Sequence, residues 1–292
     1  MKQKVALVLS GGGARGIAHI GVIEELEKQG FEISAISGTS MGAVIGGVYA
    51  LGKLQAYKEW LYTLDRMKLF GLLDFSFSTQ GLVKGDKLFH TIEAFIADEK
   101  IEDFHIPFAA VATDILNKAE VVFKTGSIFE AVRASMAFPT IFTPIKTEKG
   151  LLVDGGVLNN LPIDHVARVP SDILVAVDVN ADVPVETIKV SAPVNHEALP
   201  AYQQKIKEFY SQFQKFNPLS KDEKLSYFNL MNKTISLMTN HITQLTLEKY
   251  SVDILINISR DSCATFDFYR AEEMVEVGRN AAIKYIAECK TK

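Results

Sequence analysis

The sequence predicts an α/β protein built on a mostly parallel sheet with crossover helices, and three observations carry that prediction. The first fifty residues run strand, glycine loop, helix, strand, turn, helix, which is the rhythm of parallel strands joined by crossovers. Short apolar runs that read as buried strands recur to about residue 180. Eighteen of the nineteen glycines lie at or before Gly156, so the tight backbone work falls in the first half, and Gly278 is the one exception.

Residues 4–9 read as a buried strand running straight into the glycine loop 11–16. A helix over about 17–29 carries Ile20, Val22, Ile23 and Leu26, and Gly30 closes it. A second strand, 33–37, meets Gly38 and leads into a helix of small residues, 43–51. Further strands are expected at 108–113, 120–124, 151–153 and 173–179. After Asp182 the pattern changes: Ile206, Phe209, Tyr210, Phe213 and Phe216 recur at helical spacing, and Ser220 with Glu223 forms a capping box opening a second long helix. A last strand, 253–258, and a last helix, 269–289, close the fold. The organisation expected is one domain over 1–292, with a core at about 4–180 and 251–290 and a helical insertion at about 182–250.

Composition narrows the function. The chain has 292 residues, 48% of them apolar, which excludes a disordered chain. Its 31 basic and 35 acidic side chains give a net charge of −4, against a nucleic-acid binder, which would rest on a basic surface. Cys263 and Cys289 are too few for a disulfide scaffold and lack metal-ligand spacing, which fits a reducing, cytoplasmic setting. The apolar run at the N-terminus is too short for an export signal, and no run nears the roughly 18 residues of a membrane span, so any membrane contact is expected to be peripheral.

Three motifs carry chemistry. Gly38-Thr39-Ser40-Met41-Gly42 is a G-x-S-x-G placed between a β-rich run and a helix, the context of a nucleophile elbow. In that turn Ser40 is exposed on a strained backbone and the N–H of Met41 faces the place where an oxyanion would form. The plainer reading is a helix-entry turn capped by Ser40 or Thr39. Gly11-Gly12-Gly13-Ala14-Arg15-Gly16 fits G-x-G-x-x-G, but the second strand ends in Ser37-Gly38 without the acidic residue that a dinucleotide site needs. Consecutive glycine N–H groups at a helix start suit an oxyanion hole instead. Arg15 would fix this loop, meet an anionic head group, or form a surface ion pair. Asp154-Gly155-Gly156 alone reads as a hairpin turn, yet beside Ser40 and the glycine loop Asp154 becomes the leading candidate for a general base.

The glycine loop, the G-x-S-x-G within fifty residues and the D-G-G about a hundred residues later together resemble the patatin-like phospholipase family. The segment Arg133-Ala134-Ser135-Met136-Ala137-Phe138-Pro139, with Asn160 and Pro162 after D-G-G, resembles that family too. The likeness covers about 4–180 plus the last strand and helix. It implies a three-layer α/β/α fold and hydrolysis of lipid acyl esters by a Ser40–Asp154 dyad, with no metal and no cofactor. Gly11, Gly12, Gly13, Arg15 and Met41 would form the oxyanion hole and substrate contacts. The partner implied is a lipid or acyl-ester substrate, not nucleic acid.

A conventional triad would need one of the six histidines, His19, His90, His105, His165, His196 and His241, and chain order alone leaves His165, His196 and His241 open. His19 reads as a packing or capping residue. An acyltransferase would use the same serine, whereas a nucleotide-binding module would use only the glycine loop. For an acyl chain, two apolar stretches are available, 69–77 and 206–216, and core packing is the plainer reading of both. Lys205, Lys207 and Lys215 around the second would suit an anionic lipid surface.

Overall fold

In chain order the strands are β1 (Gln3–Leu9), β2 (Phe31–Thr39), β3 (Phe75–Ser78), β4 (Gly81–Val83), β5 (Phe108–Asp114), β6 (Ala119–Phe123), β7 (Ile145–Lys146), β8 (Leu151–Asp154), β9 (Ile173–Ala181) and β10 (Ile254–Ser259). The helices are α1 (Ala18–Lys28), α2 (Met41–Ala50), α3 (Leu54–Tyr62), α4 (Arg66–Leu72), α5 (Asp86–Ile96), α6 (Ile128–Ser135), α7 (Tyr227–Lys249) and α8 (Ala271–Lys290). This computed structural model describes residues 2–72, 75–78, 81–83, 85–96, 99–185 and 227–290. The expected strands all form, with ends displaced by at most two residues. Helices α3 to α6, strand β7 and the β3–β4 pair had no counterpart in the sequence reading.

The main sheet has the order β10-β9-β1-β2-β5-β8-β7, with β6 on the other edge of β5. From β10 to β5 every pairing is parallel, while β6, β7 and β8 run antiparallel to their partners. Strand β1 is buried from Val5 onward, as a parallel strand covered on both faces must be. On one face Ala6 and Val8 pack with Leu161, Ile163, Leu174 and Ala176, and Leu247, Tyr250 and Val252 lie behind them. On the other, α2 lies so close that a Cβ at Gly46 would meet Ile36, Phe108 and Leu9 side chains. The result is a mostly parallel sheet between helical layers.

Because β1 leads to β2 on one side and has β9 on the other, the strand order reverses between β1 and β9, and in open α/β sheets ligands bind outside the carboxyl edge at such a switch point. The glycine loop follows β1 and Ser40 follows β2, so both reach this edge.

By internal contacts the chain divides into two units, Met1–Ile188 with Thr239–Lys292, and Lys189–Met238. The first holds the sheet and the C-terminal part of α7. Of the second, the described residues are the N-terminal half of α7. The 206–216 stripe and the Ser220–Glu223 box lie outside the described residues, as do Leu73 and the side chains of Phe70, Phe75 and Phe77. Among the described residues no helix is long and apolar enough to cross a membrane.

The lone late glycine has a packing reason. A Cβ at Gly278 would lie 1.8 Å from the Ala18 carbonyl oxygen, and one at Gly21 would lie 1.9 Å from that of Val275, so α1 and α8 touch backbone to backbone. Backbone cannot step aside as a flexible side chain can. Gly278→Ala is therefore expected to cost about 2 kcal/mol or more by overpacking. Gly71→Ala, where a Cβ meets nothing within 4 Å, is expected to be neutral or to stabilise α4 by up to about 1 kcal/mol. Urea denaturation of the two variants checks this, and equal effects would contradict the packing account.

Candidate active site

Ser40 joins β2 to α2 with φ 54° and ψ −123°, a left-handed backbone that L residues rarely adopt. Its surroundings enforce it. A Cβ at Gly38 would lie 2.5 Å from the Gly42 carbonyl, and one at Gly42 would lie 2.2 Å from the Leu9 carbonyl oxygen of β1. Only glycine fits at either flank. The Ser40 N–H donates to Ser135 Oγ (2.8 Å), whose own hydroxyl donates to the Val111 carbonyl (2.6 Å), so α6 and β5 brace the turn. Ser40 makes no side-chain cap to α2, and the Thr39 hydroxyl donates to the Asn159 carbonyl (2.8 Å), so neither residue fits the simple capping reading. The carbonyl of Ser40 takes the N–H groups of Ala43 and Val44, while those of Met41 and Gly42 find no acceptor among the described residues.

The glycine loop opens with a 3-10 turn, Gly13–Ile17, ahead of α1. Gly11 N–H donates to the Asn160 carbonyl (3.2 Å) and Ala14 N–H to that of Thr265 (2.9 Å). Between them, the Gly12 and Gly13 N–H groups have no acceptor among the described residues. A Cβ on Gly11 would lie 3.0 Å from Ser40 Cβ, so loop and serine are in contact. Arg15 is turned inward: Nε donates to the Val179 carbonyl (3.2 Å), Nη1 to that of Cys263 (3.1 Å) and Nη2 to Asn180 Oδ1 (2.9 Å). That geometry fixes the loop, and it replaces the surface ion pair as a reading of Arg15. His19 is fully buried, with Nε2 2.8 Å from the Ser10 carbonyl. Burial pulls its pKa down to about 4, so the ring is neutral at pH 7, and facing a carbonyl its Nε2 carries the proton.

Sheet register brings the aspartate to the serine. Thr39 pairs with Val111 of β5, and Asp154 pairs with the next residue, Ala112, so the ends of β2 and β8 meet along one edge of β5. Gly155 fits only as glycine, since a Cβ there would lie 2.3 Å from the Val111 carbonyl oxygen and 3.1 Å from Thr39 Cγ2. Asp-Gly is not a hairpin turn here: Asp154 ends β8, and residues Gly155–Val157 form a 3-10 turn whose Gly156 N–H donates to Asp154 Oδ1 (2.8 Å). Asp154 is 2% exposed, and Oδ2 has no closed hydrogen bond. Burial pushes its pKa up to about 6, against the opposing pull of the Ser40 hydroxyl and the Gly156 N–H. The carboxylate is dry and faces the serine, as a base toward an alcohol must.

No histidine among the described residues hydrogen-bonds Ser40 or Asp154. His165 bonds Glu120 Oε2 (2.8 Å), with Asp164 at 3.7 Å. Nothing in their spacing groups these three, yet the fold brings their ligand atoms within 4.8 Å of one another, and the Asn159 amide donates to both carboxylates. Sequence reasoning missed Ser135, Asn159 and Asn180 as individual residues. Ser135 lay within a recognised segment, whereas Asn180 carries no local signal.

A family model described as patatin-like phospholipase matches residues 7–167. An uncharacterized NTE family protein of Mycobacterium tuberculosis is 32% identical over 324 residues, covering 96% of this chain and 90% of that protein. A lysophospholipase of Neosartorya fischeri is 28% identical over 294 residues, covering 99% of this chain and 18% of the fungal protein. One of Debaryomyces hansenii is 29% identical over 286 residues, with 94% and 17% covered.

The dry carboxylate has a thermodynamic consequence. Its folded pKa of about 6 lies above the ordinary 3.8, so the stability tied to its proton is present below about pH 4 and lost as pH rises through 6. Asp154→Asn carries no such dependence. Relative to wild type it is expected to gain on the order of 2 to 3 kcal/mol between pH 4 and pH 8. Urea denaturation across that range measures it, and parallel profiles would contradict a buried, perturbed carboxylate.

Proposed function

Given that the chain belongs to the patatin-like phospholipase family, we propose that it is a lipid acyl hydrolase working through Ser40 and Asp154. The observation that carries this reading is the strained Ser40 turn, with unpaired N–H groups on one side and a dry carboxylate on the other. Asp154 takes the proton of Ser40 Oγ as that oxygen attacks the ester carbonyl. The Met41, Gly12 and Gly13 N–H groups hold the tetrahedral oxyanion, and Asp154 returns the proton to the leaving alcohol. Water, deprotonated by the same carboxylate, then attacks the acyl-serine; the acyl–Oγ bond breaks, Asp154 passes the proton to Ser40 Oγ, and the fatty acid is released. The positive end of the α2 dipole favours the same negative charge.

The names of the relatives support a substrate class to test. Two fungal proteins matching nearly all of this chain are named lysophospholipases, so a single-chain phospholipid is the first substrate to try. No metal enters the scheme, because every charge that develops has a protein donor or the Asp154 carboxylate to meet it.

Hydrolysis of a lysophospholipid, followed by fatty-acid release, tests the proposal. Ser40→Ala is expected to lose at least about a thousandfold in kcat, and Asp154→Asn about a hundredfold to ten-thousandfold. Alanine at His165 or His241 is expected to leave most turnover, and chelators to leave all of it. For the wild type, kcat/KM is expected to fall about tenfold per pH unit below about 6 and to level above it, because only the carboxylate form of Asp154 is the base. An inactive histidine variant, or an Asp154→Asn variant with wild-type turnover, would overturn the dyad.

A further inference from the structure

Asn180, at the carboxyl end of β9, is absent from every motif, yet it touches the peptide on which the proposed oxyanion hole depends. Its Nδ2 donates to the Gly11 carbonyl at 2.6 Å, and Asn160 Nδ2 supports the same oxygen from 3.4 Å. In a planar trans peptide the carbonyl of one residue and the N–H of the next point to opposite sides. Pulling the Gly11 carbonyl toward β9 therefore turns the Gly12 N–H away from it.

A Gly-Gly peptide has little resistance of its own to rotation, since glycine accepts conformations that other residues avoid. Both glycines are nevertheless required. A Cβ at Gly12 would lie 2.4 Å from Val179 Cγ2, and one at Gly11 would lie 2.7 Å from Asn160 Oδ1. Close packing thus forces the loop to use the residues least able to hold an orientation, and something outside the loop must supply it.

Arg15 makes the clamp one-directional. A guanidinium only donates, so the Asn180 oxygen faces Arg15 Nη2 (2.9 Å) and the amide NH2 is left to face Gly11. The Asn180 backbone is held in turn, its N–H donating to Asp178 Oδ1 (2.9 Å). Arg15 is itself anchored on the Val179 and Cys263 carbonyls.

We infer that Asn180 is a positioning residue for catalysis: held one way round by Arg15, it clamps the Gly11–Gly12 peptide so that the Gly12 N–H stays available to the oxyanion. The inference rests on Ser40 being the nucleophile. It acts on the transition state and not on substrate binding, because a ground-state carbonyl draws far less on the oxyanion donors.

Asn180→Asp tests it. The two side chains are nearly isosteric and aspartate still pairs with Arg15, but an acceptor oxygen then opposes the Gly11 carbonyl and drives the peptide to rotate. Loss of one oxyanion donor typically costs about a hundredfold to a thousandfold in kcat. That loss is expected here, with KM within about twofold of wild type and the inhibition constant of an alkyl boronic acid, which becomes tetrahedral on the serine, rising in step with the fall in kcat/KM. Asn180→Ala, which removes the clamp without adding repulsion, is expected to show the same split at roughly a tenfold loss, and serves if the aspartate variant does not fold. Wild-type kcat in either folded variant, a loss carried by KM, or an unchanged boronate constant would overturn the inference. If the wild type itself neither hydrolyses the ester nor binds the boronate, the Ser40 reading fails and the clamp fails with it. If the wild type does both and the variants match it, only the clamp fails.

Discussion

Ser40 sits at φ 54° in a turn with no room on either flank, and most of the surrounding architecture serves to hold it there. Left-handed backbone at a non-glycine residue costs on the order of 1 to 3 kcal/mol and persists only where neighbours over-determine it. Here Gly42 lies against the end of β1, Gly38 against the first turn of α2, and Ser135 ties the Ser40 N–H to β5. Hydroxyls of β2 are stitched to the segment beyond D-G-G as well, Thr39 to the Asn159 carbonyl and Ser37 to that of Pro162, each at 2.8 Å. The turn is strained because it must present a side chain and a helix N-terminus to the same point.

The proposed dyad also requires a base that can work on an alcohol. A solvated aspartate is too weak a base, whereas one enclosed by strand ends is held near pKa 6 and lies at the serine. That enclosure is a property of sheet register: Thr39, Val111, Ala112 and Asp154 are neighbours only because β2 and β8 share one edge of β5. The cost of the buried carboxylate and the strain at Ser40 are met by the apolar sheet beneath, where β1 is sealed on both faces.

What the sequence made legible follows the range of the physics. The G-x-S-x-G constraint acts within four residues, and the glycine loop acts next to its strand, so the strained turn at Ser40 and the open N–H groups of Gly12, Gly13 and Met41 follow local pattern, whereas the Gly11 N–H is taken by the distant Asn160 carbonyl. Asp-Gly taken alone is a hairpin signal, but the strands pairing with β8, β5 and β7, both lie upstream of it, and Gly155 is glycine to clear the Val111 carbonyl. Asn180 was illegible for the same reason: it meets Gly11 only through the β1–β9 pairing, 169 residues apart in sequence. Arg15 shows the intermediate case, recognisable from its motif while its inward orientation depended on partners beyond residue 178.

The central claim is that Ser40 Oγ is the atom that becomes acylated. Treating the folded protein with an alkyl fluorophosphonate and mapping the modified peptide by mass spectrometry addresses it directly, because the reagent forms a stable bond only with an activated nucleophile. The expected result is one phosphonyl group per chain, on Ser40, with none on the unfolded protein. A label on any other residue, or an unlabelled Ser40 in a preparation that hydrolyses lipid esters, would contradict the account.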